Sequence, residues 1–433
     1  MNKWNDIFGD FFWRSLQALG KQGVSILLVF LSATLLSPED FGYLTYLFSF
    51  ALLLTTLSDF GISIAVTKGV SERRSLSLSY RKLVSSFSSL LFFLSVVFSG
   101  ITLVVLVFFF PKDLFFLSCF LPLLFFAPQT SLLEGVFRGE SHFSSPAVIT
   151  LGTGCLALLS AGFLIPMLGL FGAIFAYNVQ FLLLFCGLFL LRRREKIPLF
   201  HIPSHTFLKN FFKNTELMPM FTSSFCIGLA NVAYVLNATV DIFFLRQFGF
   251  LEAIGQYELI TKLFLLFFKP SLLLGQVLSP RVSQLVVQGN LSRARQKMAY
   301  IFPLFFLLFA FVAILLFLFV PVVFQSFFPE YVTASFSVIF LILLLLLPIR
   351  AWGVFFTNAF LVPAGYEKLL LWGAILSVMI NFFFDSILVV SFGFLGIFLS
   401  TFVVYFLSVI IQTLWGFFGK IHQPSVRNAV PHE

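Results

Sequence analysis

Apolar segments of about twenty residues or more recur along almost the whole chain. A helix rises about 1.5 Å per residue, so each segment is long enough to cross about 30 Å of hydrocarbon. The composition agrees, because 59% of the 433 residues are hydrophobic, 10% are charged and the mean hydropathy is +1.03. A soluble protein of this size needs more polar residues for its surface. We predict an all-α integral membrane protein with twelve spans, near 11–36, 41–67, 83–110, 114–137, 143–166, 169–191, 217–245, 253–279, 298–326, 332–362, 367–391 and 394–418.

The two halves of the chain share short glycine motifs at matching places. Segments 42–68 and 255–281 each begin with a glycine closely followed by a tyrosine, and each ends 26 positions later at a basic residue. Gly-x-x-Gly motifs at 169–172 and 393–396 begin a later apolar segment in each half. An internal repeat in a membrane chain is typical of transporters, whose substrate path lies between two similar bundles.

The repeat predicts two pseudo-symmetric six-helix bundles around a central cavity. The longest connection, at 192–216, is rich in Arg, Lys, His and Pro, and it separates the first six spans from the last six. We therefore predict an N-terminal bundle at 1–191, a cytoplasmic linker at 192–216, and a C-terminal bundle with a short cytoplasmic tail at 217–433.

Basic residues predict the orientation, because cytoplasmic loops of membrane proteins carry an excess of Lys and Arg. With the N-terminus inside, the predicted outer loops hold only Lys112 and Arg246, whereas the inner segments hold 21 of the 27 basic residues. We therefore expect both termini in the cytoplasm. The basic residues are spread over many inner loops, so the net charge of +9 indicates topology rather than a surface for nucleic acid.

The sequence lacks the clustered residues that metal binding or catalysis needs. The four cysteines lie in apolar segments without short spacing, and the five histidines lie in predicted loops or in the tail. We therefore expect no disulfide frame, no metal site and no cofactor. The predicted outer loops are very short, which disfavours a membrane enzyme of cell-wall synthesis.

Four basic residues fall deep inside the predicted spans, away from their ends. A charge at mid-bilayer costs about 2.5–3.5 kcal/mol on insertion scales, so such residues normally face a cavity or a partner. Fixed cations there would replace the hydration that a diphosphate loses beside lipid. The candidates for binding an anionic substrate in a cationic cavity are Lys21, Lys262, Lys269 and Arg350.

The lysines among these candidates also have a structural interpretation. Glu258 and Lys262 are four residues apart on one helix face, so they can neutralise each other. Lys21 and Lys269 can extend along their spans toward the membrane surface. We expect Glu134, near the inner end of its span, to be interfacial.

Carboxylates and an amide inside the spans are candidates for coupling transport to an ion gradient. A carboxylate that faces a cavity can bind a proton or Na⁺, and we expect one of these as the coupling ion. The candidates are Asp241, Asn237, Asp59 and Asp385, with Asp241 beside Asn237 preferred. The same acids can instead link helices or serve as counter-ions, as Asp385 or Asp59 would for Arg350.

Several motifs in their order resemble the polysaccharide transporter family. These motifs are residues 36–43, Ser58-Asp59-Phe60-Gly61, Asp241 followed by 255–257, 279–281, and Asn381 followed by the glycines of 393–396. This is the O-antigen flippase group of the multidrug/oligosaccharidyl-lipid/polysaccharide (MOP) exporter superfamily. The resemblance covers nearly the whole chain.

The resemblance implies twelve helices in two bundles and a flippase at the bacterial inner membrane. Such a protein moves an undecaprenyl-diphosphate-linked oligosaccharide, an O-antigen or capsule unit, to the periplasmic leaflet, and the pathway's polymerase and chain-length proteins are expected partners. A multidrug/cation antiporter of the same superfamily is the alternative, although it favours an acidic cavity. The related lipid II flippases usually carry two further helices. A scaffold that only recruits partners stays open as a third class.

Overall fold

The computed structural model describes residues 3–76, 78–193, 217–333 and 335–419. This part of the chain is built from α-helices and contains no β-strand. A 3₁₀ turn at Pro329–Tyr331 and a π-helix at Thr357–Leu361 interrupt the pattern. The helices are α1 Lys3–Leu35, α2 Pro38–Asp59, α3 Ile62–Ser75, α4 Arg81–Phe109, α5 Leu114–Ser118, α6 Leu121–Gly139, α7 Ser144–Leu168, α8 Leu170–Arg193, α9 Leu217–Gln247, α10 Leu251–Val287, α11 Leu291–Phe327, α12 Phe336–Phe356, α13 Glu367–Phe392 and α14 Phe394–Phe418.

Twelve helical segments in the described residues are long and apolar enough to cross a membrane. They contain between 20 and 37 residues, and their mean hydropathy lies between 1.4 and 3.1. The prediction of an all-α, multi-pass membrane protein is thereby confirmed. Large apolar side chains remain exposed along these segments, for example Phe108 at 75% and Phe319 at 64%, as expected for side chains that face lipid.

The start of α2 follows from the sequence Ser37-Pro38-Glu39-Asp40. The Ser37 hydroxyl accepts a hydrogen bond from the Asp40 backbone N–H at 3.1 Å, so it caps the helix. Pro38 occupies the first helical position, where its missing N–H has no cost. Glu39 and Asp40 lie in the first turn, where the helix dipole favours acids. The predicted outer loop at these residues is therefore largely helical.

The second predicted span, 41–67, is not one helix. It breaks at Phe60 and Gly61, whose φ angles of +48° and +73° are left-handed. A Cβ on Gly61 would lie 2.1 Å from the carbonyl oxygen of Ser224 on α9, so only glycine fits. The continuous span was wrong because tertiary contact with α9, which a helical pattern does not show, fixes the break.

The two Gly-x-x-Gly motifs form turns of the same geometry. Gly169 has φ and ψ of +56° and −131°, and Gly393 has +56° and −135°. In each motif the second glycine packs against a carbonyl oxygen eight residues earlier: a Cβ would lie 2.0 Å away at Gly172 and 2.2 Å away at Gly396. The α7–α8 and α13–α14 hairpins therefore repeat one local structure.

The helices pack into two compact units. The first unit comprises 1–263 and 327–332, and the second comprises 264–326 and 333–433. Helix α10 contributes to both units, so this division differs from the predicted bundles at 1–191 and 217–433, whose boundaries stay a prediction. The predicted linker at 192–216 begins with two residues that belong to α8, and its remainder lies outside the described residues.

Each unit has its own apolar core. In the first unit, fully buried side chains of α3, α4 and α6 pack together, with Val66, Phe87 and Val136 at 0% exposure. In the second unit, most side chains of α12 are buried, and Trp352 packs edge-on against Phe302 with ring centroids 4.8 Å apart. These cores hold the helices that carry the candidate site residues.

Candidate functional site

The predicted site residues are distributed over both units. Lys21, Asp59, Asn237, Asp241 and Lys262 belong to the first unit. The second unit holds the three remaining candidates.

Lys21 on α1 forms an ion pair with Glu134 on α6. The lysine Nζ lies 2.8 Å from Oε1 and 3.1 Å from Oε2 of the glutamate. The side chain of Lys21 is 41% exposed, whereas that of Glu134 is 14% exposed. Glu134, which was predicted to be interfacial, thus serves as the counter-ion of a candidate substrate-binding lysine.

Asp59 ends α2 at the helix break. Its Oδ2 accepts a hydrogen bond from the Ser63 hydroxyl at 2.9 Å, which links α2 to α3. Its Oδ1 is buried and has no hydrogen-bond donor among the described residues. Arg138 on α6 acts on this carboxylate electrostatically. A buried carboxylate oxygen without a donor can hold a proton or a cation.

Asp241 and Asn237 lie on one face of α9 and are buried, at 3% and 7% exposure. Asp241 Oδ2 accepts a hydrogen bond of 2.5 Å from the Tyr257 hydroxyl on α10. Gln256, the neighbour of Tyr257, is also buried at 3% exposure. The predicted glycine motif at 255–257 therefore delivers a hydrogen-bond donor to the preferred coupling carboxylate.

Lys262 pairs with Glu258 one turn earlier on α10. The Nζ–Oε1 distance is 3.1 Å, and the two side chains are 20% and 12% exposed. The structure thus contains the ion pair between residues four apart that the structural interpretation of Lys262 predicted.

The second unit contains Arg350, Lys269 and Asp385. Arg350 on α12 lies between two aromatic rings, with Cζ 4.7 Å from the centroid of Phe268 and 3.8 Å from that of Tyr405. A guanidinium group is attracted to aromatic faces, and this fixes its plane.

Lys269 follows Phe268 on α10 and is partly buried. Within the described part of the chain it has no hydrogen bond or ion pair. It therefore differs from Lys21 and Lys262, each of which is matched by a glutamate.

Asp385 belongs to a buried polar group on α13 and α14. Asp385 and Ser400 are 0% exposed, and Asn381 is 2% exposed. The Ser400 hydroxyl donates a hydrogen bond of 3.1 Å to Oδ1 of Asn381, which joins the two helices. Polar groups in such an apolar unit are retained where they bind something or fix helix packing.

Sequence reasoning missed a buried ion pair in the first unit. The Arg192 guanidinium is 0% exposed and donates two hydrogen bonds to Glu140, at 2.8 and 2.7 Å. The Tyr80 phenol lies beside this pair. Burial is the largest cause that raises its pKa, and the hydrogen bond to Glu140 is the second, so the phenol stays neutral. Arg192 was assigned to the linker because basic residues follow it. Both partners were nevertheless predicted on the same membrane side, and this was the available signal.

A second missed cluster surrounds Arg246 at the end of α9. Its Cζ lies 5.5 Å from the ring centroids of both Tyr43 and Tyr46, and Nη2 lies 3.8 Å from Oδ1 of Asp113. Asp113 also accepts a hydrogen bond of 2.5 Å from the Tyr43 hydroxyl. The topology predicted residues 113 and 246 on one side of the membrane, but it did not predict that they would meet.

The arrangement provides two kinds of chemistry within the membrane spans. Lysine and arginine side chains in both units can bind anions, and buried carboxylates in both units can bind a proton or a small cation. Among the described residues, no group of three or more His, Cys, Asp or Glu side chains could hold a metal ion.

Comparison with solved structures shows a shared fold. An inward-facing multidrug resistance MATE transporter of the MOP superfamily is 15% identical, with a TM-score of 0.70 over 91% of this chain and 93% of that one. The lipid II flippase MurJ in an inward closed conformation is 14% identical, with a TM-score of 0.70 over 93% and 86%. A MOP transporter from Pyrococcus furiosus is 14% identical, with a TM-score of 0.57 over 94% of each chain.

The sequence comparison is more specific than the shared fold. A search of curated proteins finds no match. The family model described as polysaccharide biosynthesis protein matches residues 7–286, more than half of the chain. The chain therefore belongs to the polysaccharide biosynthesis protein family, and it shares its fold with transporters of the MOP superfamily.

Proposed function

We propose that this transporter flips an undecaprenyl-diphosphate-linked oligosaccharide across the bacterial inner membrane. The lipid-linked unit would move from the cytoplasmic to the periplasmic leaflet by alternating access, and both termini would lie in the cytoplasm. Family membership supports a polysaccharide precursor as the cargo. Such a precursor carries an anionic diphosphate, a polar oligosaccharide and a polyprenyl chain that can stay in the lipid.

Lys269 is the observation that carries this proposal. It is a partly buried cation within a membrane span, and it has no counter-ion among the described residues. An unmatched charge in low dielectric is costly, so a cation in such a position is typical of an anion-binding site. Arg350 in the same unit has its guanidinium plane fixed by Phe268 and Tyr405, which suits the planar recognition of phosphate oxygens.

Ion coupling would use the buried carboxylates. Asp241, with its short bond from Tyr257, and Asp385 are candidates in different units, and Asp59 and Asn237 complete the set. We propose a proton or Na⁺ as the coupling ion, because these carboxylates lie in apolar surroundings where charge needs a partner. Polymerase and chain-length proteins of the same pathway would take the product.

A multidrug/cation antiporter is the second candidate function. Its support is the similarity to the MATE transporter, which is as close in fold as the similarity to the flippase MurJ. Asp59 and Asp241 in the first unit, or Asp385 in the second, would then bind a cationic drug directly. The two functions differ in which charges must be kept: the lysines and arginine for a flippase, the acids alone for an antiporter.

Flipping of a lipid-linked oligosaccharide by the purified protein in liposomes tests the proposal. We expect Lys269→Ala to reduce the flipping rate about tenfold or more, because the diphosphate loses a charged contact. Lys68→Ala is the matched control, since Lys68 is 60% exposed and pairs loosely with Glu72 at 3.9 Å. Full flipping by Lys269→Ala, or export of a cationic drug without flipping, would contradict the flippase.

A further inference from the structure

We propose that Glu134 has a place-holder role: its carboxylate occupies, on Lys21, the position that the anionic group of the substrate takes during transport. The incoming anion then displaces the Glu134 side chain toward Arg138. The inference rests on the proposed function for the nature of the anion, a diphosphate. The exchange itself rests on the geometry of the first unit.

The carboxylate of Glu134 contacts Lys21 as a phosphate would. Two oxygens of one group approach the same Nζ, at 2.8 and 3.1 Å. The lysine side chain is 41% exposed and the glutamate side chain 14%, so the lysine is the more accessible partner of the pair. An anion arriving from the exposed side therefore meets Lys21 first and competes with Glu134 for its N–H donors.

The helices that carry the pair are not close packing partners. Helix α1 packs chiefly against α7, whereas α6 packs against α2, α3, α4 and α8. The ion pair thus bridges two helices whose cores are formed elsewhere. Opening it requires two side chains to move and does not require the core of either helix to repack.

Arg138 offers Glu134 a second partner. It lies one turn later on α6, and its Nε already donates a hydrogen bond of 3.3 Å to the Glu134 backbone carbonyl. Its side chain is exposed, and its terminal nitrogens have no hydrogen bond among the described residues. A Glu–Arg pair four residues apart on a helix is favourable. The displaced carboxylate would therefore not become an uncompensated charge.

The neighbouring charges favour this exchange for a multiply charged anion. Arg14 on α1 acts on Arg138 electrostatically, and Asp59 on α2 does so with opposite sign. Together with Lys21 and Glu134 these side chains have formal charges that sum to +1 when all of them are ionised. A diphosphate gains more from this surplus than a singly charged carboxylate does. Glu134 would thus exclude weakly charged lipids from Lys21, and no proton transfer is needed.

Binding of inorganic pyrophosphate to the purified full-length protein tests the exchange. We expect Glu134→Gln to bind pyrophosphate about three- to fivefold tighter, because the competing ion pair is lost. Lys21→Gln should bind about tenfold more weakly, and the double variant should resemble Lys21→Gln. Arg138→Gln should weaken binding, because displaced Glu134 loses its second partner. Glu72→Gln, in the exposed pair with Lys68, is the matched control and should leave binding unchanged.

The other outcomes of these measurements also support or overturn the place-holder role of Glu134. Unchanged or weaker pyrophosphate binding by folded Glu134→Gln would overturn the place-holder role, even if flipping of the oligosaccharide lipid is observed. Tighter binding without any flipping would support the exchange and contradict the proposed function. Phospholipid is another source of phosphate, so phosphatidylglycerol retention is measured by native mass spectrometry. Greater retention in Glu134→Gln without a gain for pyrophosphate would overturn the role.

Discussion

The α7–α8 and α13–α14 hairpins have the same backbone and different interiors. Both turn at a glycine with φ of +56°, and both pack a second glycine against a carbonyl oxygen eight residues earlier. Counting from the turn glycine, however, Asn381, Asp385 and Ser400 of the second hairpin correspond to three alanines of the first. These alanines are Ala157, Ala161 and Ala176.

All six residues at these positions are buried, with exposures of at most 2%. The repeated backbone therefore provides equivalent buried positions in both hairpins, and only the second hairpin fills them with polar groups. Alanines show that polar side chains are not needed to form the hairpin. We therefore predict that the polar group of the second hairpin serves transport, and four sets of variants test this comparison.

The largest effect should follow when the second hairpin is given the interior of the first. We expect Asn381→Ala with Asp385→Ala to lower coupled transport at least about a hundredfold, because a carboxylate proposed to bind the coupling ion is lost. Folding should survive, since the first hairpin has alanine at both positions. Transport is measured in liposomes under an imposed ion gradient. Loss of the folded protein on gel filtration would instead indicate that the polar group stabilises the hairpin.

The second glycine of each motif tests whether the two hairpins are structurally equivalent. Gly172→Ala and Gly396→Ala should each destabilise the protein by about 1–3 kcal/mol, because the new Cβ would overlap a backbone carbonyl oxygen. Thermal unfolding in detergent measures both variants. Gly373→Ala on α13 is the control, since a Cβ there has no atom within 4 Å. A clear effect at one motif and none at the other would contradict the equivalence.

Somewhat smaller effects should follow at the turn glycines. Gly169→Ala and Gly393→Ala place an L side chain at φ of +56° with ψ of −131° or −135°, a conformation that glycine alone adopts readily, which costs about 1–2 kcal/mol. A Cβ at Gly169 meets no atom within 4 Å, so backbone strain is the only expected cause there. Unfolding temperatures should therefore fall less than for Gly172→Ala. An unchanged unfolding temperature would mean that the turn relaxes to another conformation.

The smallest effect should come from the hydroxyl that joins α13 and α14. Ser400→Ala removes the donor of the 3.1 Å bond to Asn381 and should cost about 1 kcal/mol. Because Ala176 occupies the matching position in the first hairpin, no steric effect is expected. We expect a modest fall in transport and an equally modest fall in unfolding temperature. A transport loss as large as that of the double variant would place Ser400 in the ion site itself.

Features that depend on sequence periodicity were predicted well. The lengths of the apolar segments gave twelve spans, and the spacing of glycines gave the repeated hairpins. The break at Phe60 and Gly61 was not predicted, because it depends on the Ser224 carbonyl of a distant helix. A helical pattern records which face is apolar, and it does not record which neighbour approaches that face.

The sequence predicted which charged residues belong to the candidate site better than it predicted which of them form ion pairs. Charges inside spans identify Lys21 and Lys262 because they are rare there, but only the pair of Lys262 with Glu258 follows from helix spacing. The pairing of Lys21 with Glu134 joins residues 113 positions apart. Such long-range pairs depend on the helix arrangement, and the Arg192–Glu140 pair escaped prediction for the same reason.

The glycine contact between α3 and α9 has an evolutionary consequence. A Cβ on Gly228 would lie 2.7 Å from the Gly61 nitrogen, so each glycine restricts its counterpart. Exposed apolar side chains on the spans, such as Phe108 and Phe319, do not face another backbone in this way and can exchange with other apolar residues. Homologues should therefore diverge rapidly over their lipid-facing surface while Gly61 and Gly228 persist together. Their joint presence would identify distant family members after overall sequence identity has fallen too low to do so.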